Sequence, residues 1–295
     1  MRLDADTFTN KEVQAFSEEN FISLKINASD EAGNSLFKKY NCKGVPHLLF
    51  LENNGNEIDR IIGYREPGEY LSKIKDISRR KNTLDDYINQ FENGNDAIEN
   101  IANIARKYED RNNIAKAEEF YKLLIENYSN DTSQFSMRAH YFIAFSKFIN
   151  GDSDALNTYI DNNSKSEFVL QALWNQIRHY NDKENLDKLI NVYNKAFILF
   201  PEDASFLNSY AWRMSELDYN LEDALLKARL AVKLSDINTK AGIIDTEAEV
   251  LWKLERFDDA IEAIDRAINI DPQNQYYQDQ KKKFLQSKNN KTQSV

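Results

Sequence analysis

The sequence predicts two fold classes in one chain, an incomplete α/β domain over residues 1–80 and an all-α solenoid of about five helical hairpins with a capping helix over residues 98–288. Three observations carry this. Apolar and small residues recur with a period near 34 through the last two-thirds of the chain. The first 80 residues hold short runs rich in Ile, Leu and Phe, parted by turn residues. Only eight glycines and four prolines punctuate 295 residues, below the average usage of about 7% and 5%, as suits a mostly helical chain.

The repeats are plainest in AGIIDTEAEVLWKLERFDDAIEAIDRAINIDPQ, where Ile244, Ala248, Leu251, Phe257, Ala260, Ile264, Ala267 and Pro272 take the spacing of two antiparallel helices. Small Ala260 and Ala267 let the helices cross closely, and Pro272 follows the second helix because proline cannot continue one. Moving this template upstream places the Ala260 position on Ala224, Leu189, Ala155 and Ala117, at intervals of 36, 35, 34 and 38 residues. The first unit fits well, with Ile101, Ile104, Ala105, Tyr108, Ala117, Tyr121 and Leu124 in register; the middle units are looser. Over roughly residues 98–272 the chain resembles the tetratricopeptide repeat family. Stacked hairpins of this kind share a continuous core and curve into a concave surface lined by each unit's first helix. Residues 81–97 read as a helical link, QYYQDQKKKFLQSK as the capping helix, and residues 289–295 as a disordered tail.

In the N-terminal segment FISLKIN, HLLFLE and EIDRIIG read as strands, with one helical stretch after the first and a tight turn at Glu52 to Asn56 between the others. Pro67 opens a helix from its favoured first-turn position. This order, and NCKGVPHLLFLENNGNEIDRIIGYREPGEYLSKI in particular, resembles a thioredoxin-like fold over nearly all of residues 3–78. The resemblance implies that Gly44-Val45-Pro46 is a loop whose proline is cis and which helps bind extended peptides, making Val45, Pro46 and His47 peptide-binding candidates. The family's Cys-x-x-Cys and the strand before it have no counterpart here, since the matching stretch begins at Met1. The expectation is therefore a shortened version of a longer thioredoxin-like protein, in which FISLKIN either pairs directly with HLLFLE or leaves backbone groups unsatisfied in a buried place.

No residues suggest chemistry of their own: the catalytic and metal sets are empty and no cofactor is implied. Cys42 is the sole thiol, has no resolving partner for disulfide exchange, and reads as a buried filler. His47, His140 and His179 have no ligand neighbours at metal spacing, and no glycine-rich phosphate loop exists. A formal charge of -10 argues against nucleic acid, and no apolar run approaches membrane-spanning length. Carrying the repeat register across places Arg106, His140, Trp174, Arg178 and Arg213 on or near the concave face, a set suited to an acidic or extended peptide. Trp174 has a second reading as inter-repeat core. Ala102 and Asp245 stand where a chaperone-tail clamp of the family would want a basic residue, which disfavours that adaptor.

Two functions follow. One is a non-catalytic protein- or peptide-binding scaffold; the other is a portion of a thioredoxin-type thiol-disulfide oxidoreductase whose repeats recruit clients. As written the chain reads as cytoplasmic, with a periplasmic or exported location open if an upstream start precedes Met1, since the resembled class is often exported in bacteria. Partner identity and oligomeric state are left open.

Overall fold

The computed structural model describes residues 2–182 and 185–293. It forms two compact units, Met1–Phe168 and Val169–Val295. Among the described residues no helix is long and apolar enough to cross a membrane.

The first unit begins with helices α1 (Arg2–Ala5), α2 (Lys11–Asn20) and α3 (Glu31–Lys39), then strands β1 (His47–Leu51) and β2 (Glu57–Ile62), then α4 (Pro67–Ser78). Local chemistry starts each element. The Asn10 side chain caps α2 by accepting from the amides of Glu12 and Val13, and Asp30 caps α3 by accepting from Gly33. β1 and β2 pair antiparallel, with His47 opposite Ile62, and Gly55 turns the hairpin at a φ of 85°, as the Asn-Gly signal predicts. Pro67 occupies the first turn of α4. Val13, Phe50, Ile61, Tyr70, Leu71, Ile74 and Ile77 form the core beneath these elements.

One expected strand is missing. Residues 21–27 run from the C-terminus of α2 without joining a sheet, and the sheet of the described residues holds β1 and β2 alone. The segment does not pair with β1, and beyond Phe21, which packs on the core, its apolar side chains stay outside: Ile22, Leu24 and Ile26 are exposed. The alternation that predicts a strand is present, but a strand exists only through its ladder, and no described segment completes one.

The same unit continues through α5 (Leu84–Glu92) into two helical hairpins, α6 (Ile98–Asp110) with α7 (Ile114–Asn127), and α8 (Gln134–Ile149) with α9 (Ala155–Asn162). Ile101, Ala102, Ala105, Ala117, Tyr121, Leu124, Ala139 and Phe142 share one core, with the Tyr121 and Phe142 rings 4.6 Å apart. In the second hairpin the buried position falls on Leu156 rather than on Ala155, which is partly exposed. α9 has only eight residues and starts at Ala155, so its packing face lies one residue later than the repeat spacing places it.

Buried charge joins β2 to α6. Asp59 pairs with Lys107 and, at 3.3 Å, with Arg111, which also reaches Glu57 at 3.2 Å. Arg60 pairs with Glu57 and donates to the carbonyl oxygens of Tyr40 at 2.9 Å and Asp110 at 3.0 Å. Each of these charges has an opposite partner and hydrogen bonds, the condition under which such a cluster is tolerated.

The second unit holds three further hairpins, α10 (Phe168–Asp182) with α11 (Leu186–Leu199), α12 (Ala204–Glu216) with α13 (Leu221–Leu234), and α14 (Lys240–Lys253) with α15 (Phe257–Ile270), followed by α16 (Gln275–Gln293). Ala224, Ala228 and Ala231 on α13, and Ala260, Ala263 and Ala267 on α15, are fully or nearly fully buried, so their small side chains admit close helix crossings. Asn185 and Asp203 cap α11 and α12. α16 buries Tyr277 and Phe284, as a capping helix should. It runs to Gln293, into the 289–295 stretch expected to be a disordered tail, where Lys291 pairs with Glu255 of the preceding hairpin, as Lys288 just before it pairs with Asp258.

Candidate functional site

In the first unit the cis bond lies at Val45-Pro46. Val45 is exposed, Pro46 and His47 are half-buried, and the imidazole Nε2 of His47 lies 3.4 Å from Arg60. Burial, with the neighbouring guanidinium adding to it, holds the imidazole below its ordinary value. His47 is thus engaged at the edge of the β2–α6 charge cluster, while Val45 alone of the three presents its side chain openly. Cys42 is half-buried, and burial pushes its thiol up, away from the nucleophilic thiolate.

The repeat candidates divide between the units. Arg106 on α6 is exposed. His140 on α8 is half-buried and burial lowers its pKa. The other three share the second unit. Trp174 of α10 stacks on Phe206 of α12 with ring centroids 4.5 Å apart and planes 14° from parallel. Phe206 is fully buried and Trp174 half-buried, so the indole packs against the inter-helix core and keeps part of its surface accessible.

That stack aligns the two helix faces. Arg178 follows Trp174 by four residues, one turn along α10, and Arg213 follows Phe206 by seven, two turns along α12. Arg178 is exposed and donates to Asn175 Oδ1 at 3.2 Å. Arg213 pairs with Glu216 at 3.2 Å, while its Nε is buried with no hydrogen-bond acceptor. Helical spacing thus puts Arg178 on the Trp174 face of α10 and Arg213 on the Phe206 face of α12.

The sequence reading did not single out the α14–α16 contact. Glu249 accepts from Lys283 at 2.6 Å and from Gln280 at 3.1 Å, and Lys283 lies 3.9 Å from the Trp252 ring, whose Nε1 donates to Ser287 at 2.9 Å. Asp245, one turn before Glu249, is buried with Oδ1 unpartnered. Burial, with the Glu249 charge adding to it, pushes its carboxyl up to about 6 against the pull of Tyr276, Gln280 and Lys283. The signal was available: Asp245, Glu249 and Trp252 recur at one-turn spacing on a helix whose ordinary core positions are already filled by Ile244, Ala248 and Leu251.

Comparison with known proteins agrees with both fold expectations. Residues 1–78 match the thioredoxin-like domain and residues 246–274 the tetratricopeptide repeat. The chain joins a thioredoxin-like domain to tetratricopeptide repeats. A thiol:disulfide interchange protein DsbD of Tatumella citrea is 32% identical over 74 residues, 24% of this chain, and the chain spans 13% of that protein's length. Similar solved structures include a tetratricopeptide repeat protein from Parabacteroides merdae, with a TM-score of 0.48 and 15% identity over 67% of this chain and 76% of that one. Yeast Tom70 has a TM-score of 0.36 and 15% identity over 94% of this chain and 66% of its own. The TPR2AB domain of yeast Sti1, solved with pHSP90, has a TM-score of 0.33 and 13% identity over 75% of this chain and 94% of its own.

Proposed function

We propose that the chain is a non-catalytic scaffold that holds protein segments, and that the Trp174, Arg178 and Arg213 face of its repeats takes an acidic, extended peptide. The observation that carries this is the Trp174–Phe206 stack with an exposed guanidinium one turn away. An aromatic ledge beside Arg is what peptide anchors use: the ring offers area at low entropic cost, and the guanidinium grips a carboxylate through two parallel hydrogen bonds. The division between the two working parts falls at the 81–97 link.

The test is titration of the full chain with fluorescein-labelled Asp- and Glu-rich peptides, read by polarisation. Arg178→Glu should weaken binding at least about tenfold, near 1.4 kcal/mol. Arg213→Glu should weaken it less, because that arginine already serves Glu216. Binding indifferent to Arg178→Glu would remove this face from consideration.

A second reading is favoured by the 74-residue likeness to a thiol:disulfide interchange protein. In it the repeats deliver clients to thioredoxin-type exchange. Insulin reduction separates the two: a silent chain supports the scaffold, and turnover abolished by Cys42→Ser supports exchange.

A further inference from the structure

Asp245 and Glu249 stand one turn apart on α14, both buried, and only Glu249 has its cation. Lys283 of α16 brings its ammonium to Glu249 at 2.6 Å and over the Trp252 ring at 3.9 Å, so carboxylate, cation and aromatic ring close on one another. Asp245 has the carboxylate and the ring without the cation. Tyr276 and Gln280 of α16 hydrogen-bond to its carboxyl, and Gln280 also donates to the Tyr276 hydroxyl at 3.1 Å, yet Asp245 Oδ1 is buried without a partner. A buried acceptor left open carries the cost of its desolvation until something donates to it. The way in lies over the first turn of the helix. Helical side chains lean toward the N-terminus, so Asp245 points back over Ala241 and Gly242, whose side chains are a methyl and a hydrogen. Gly242 is exposed and has no left-handed φ to require glycine, and within 4 Å an added Cβ there would meet only the Tyr277 hydroxyl, at 3.8 Å. Neither backbone nor packing demands glycine at that position; what it leaves is room beside the acid.

The missing group is defined by what surrounds the gap. An unpaired carboxylate oxygen takes a donor, its burial favours a charged one, and Tyr276, 49% exposed beside it, offers an aromatic ring to a cation. Lys283 shows one turn away that a primary ammonium on a flexible stem fits this combination. We propose that Asp245 and Tyr276 receive the lysine side chain of a bound protein segment, its ammonium donating to Asp245 Oδ1 against the Tyr276 ring. The site is built from α14 and α16 alone. It rests on the scaffold reading for the source of the lysine, and not on the Arg178 face.

The test is isothermal titration calorimetry of the full chain with an acetylated, amidated Gly-Ser peptide that carries one central lysine. It has no acidic residue, so the result is independent of the arginine face. The wild type should bind this peptide and ignore the same peptide with its lysine acetylated. Asp245→Asn keeps the shape, removes the charge and should weaken binding at least about tenfold. Glu249 of the same helix and Tyr276, Tyr277 and Lys283 of α16 are the charged and titratable groups acting on Asp245, and burial pushes its carboxyl up to about 6. Wild-type affinity should therefore rise about tenfold from about pH 5 to about pH 7.5, as the carboxyl ionises, and stay level in Asp245→Asn. Gly242→Leu fills the approach without touching the acid, and should abolish binding while helicity and Tm are kept. Equal binding of the acetylated peptide, an affinity indifferent to Asp245→Asn, or no heat at millimolar peptide overturns the proposal. Butylammonium bound as tightly as the peptide would overturn a protein segment as the source of the ammonium.

Discussion

Asp59 and Asp245 are acids buried to similar depth, 1% and 5% exposed, in the two units of the chain, and they are treated in opposite ways. Asp59 sits on a strand facing a helix that brings Lys107 and Arg111 to it. Asp245 sits on a helix facing α16, whose cation Lys283 is committed to Glu249, and one of its oxygens has no partner. The first acid is a rivet between β2 and α6. The second holds its proton only up to about pH 6, because burial disfavours the anion and no cation is committed to it.

The comparison breaks hardest at Asp59. Asp59→Ala leaves Lys107 and Arg111 buried without their counter-charge and should cost about 3–5 kcal/mol in urea unfolding. Exchange protection should fall in β2 and α6, not in α14. A loss under about 1 kcal/mol would mean that Glu57 alone suffices for both cations.

Asp245 should report itself through pH. Its native pKa near 6 lies above the ordinary 3.8, so between about pH 4 and 6 the folded state binds more protons than the unfolded one. Stability of the second unit should therefore fall as pH rises through that window and then level off. The two-unit shift is worth about 3 kcal/mol. Asp245→Asn should flatten the slope and leave the unit more stable at neutral pH. His140, held below the ordinary 6.5 by burial, acts with the opposite sign in the first unit, its contribution lost as pH falls below that value. A pH-flat exchange profile for α14 would show that Asp245 is ionised and satisfied after all.

Smaller effects sharpen the same contrast. Lys283→Met strips Glu249 of its cation and should raise the titration of Asp245 further while loosening α16, at roughly 1–3 kcal/mol. Lys288→Ala removes an exposed pair with Asp258 and should change stability by less than about 1 kcal/mol, vanishing at high salt. If Lys288→Ala matched Lys283→Met, α16 would be held by surface charge rather than by the buried contact.

Much of this was legible in the chain. Ala117, Leu189, Ala224 and Ala260 all lie in the core, because a helical hairpin is a local object whose apolar period the backbone geometry dictates. Ala155 was a residue out, since one short helix can rotate by a single position without disturbing the period around it. Of the candidate site, Trp174, Arg178 and Arg213 lie in the second unit, whereas Arg106 and His140 lie in the first. Phe206, on which Trp174 stacks, was not singled out, because an apolar residue in a repeat reads as core whatever it stacks on.

Helices, turns and caps follow from neighbours within a few residues, so the order of residues by itself determined a hairpin at Gly55, a helix start at Pro67, and a run of helical hairpins from Ile98 onward. Whether an apolar run becomes a strand, and whether a buried acid meets a cation, depends on groups distant in sequence. Only the tertiary structure decided that HLLFL finds a ladder while FISLKIN does not, and that Asp59 is answered in full while Asp245 keeps an oxygen unpaired.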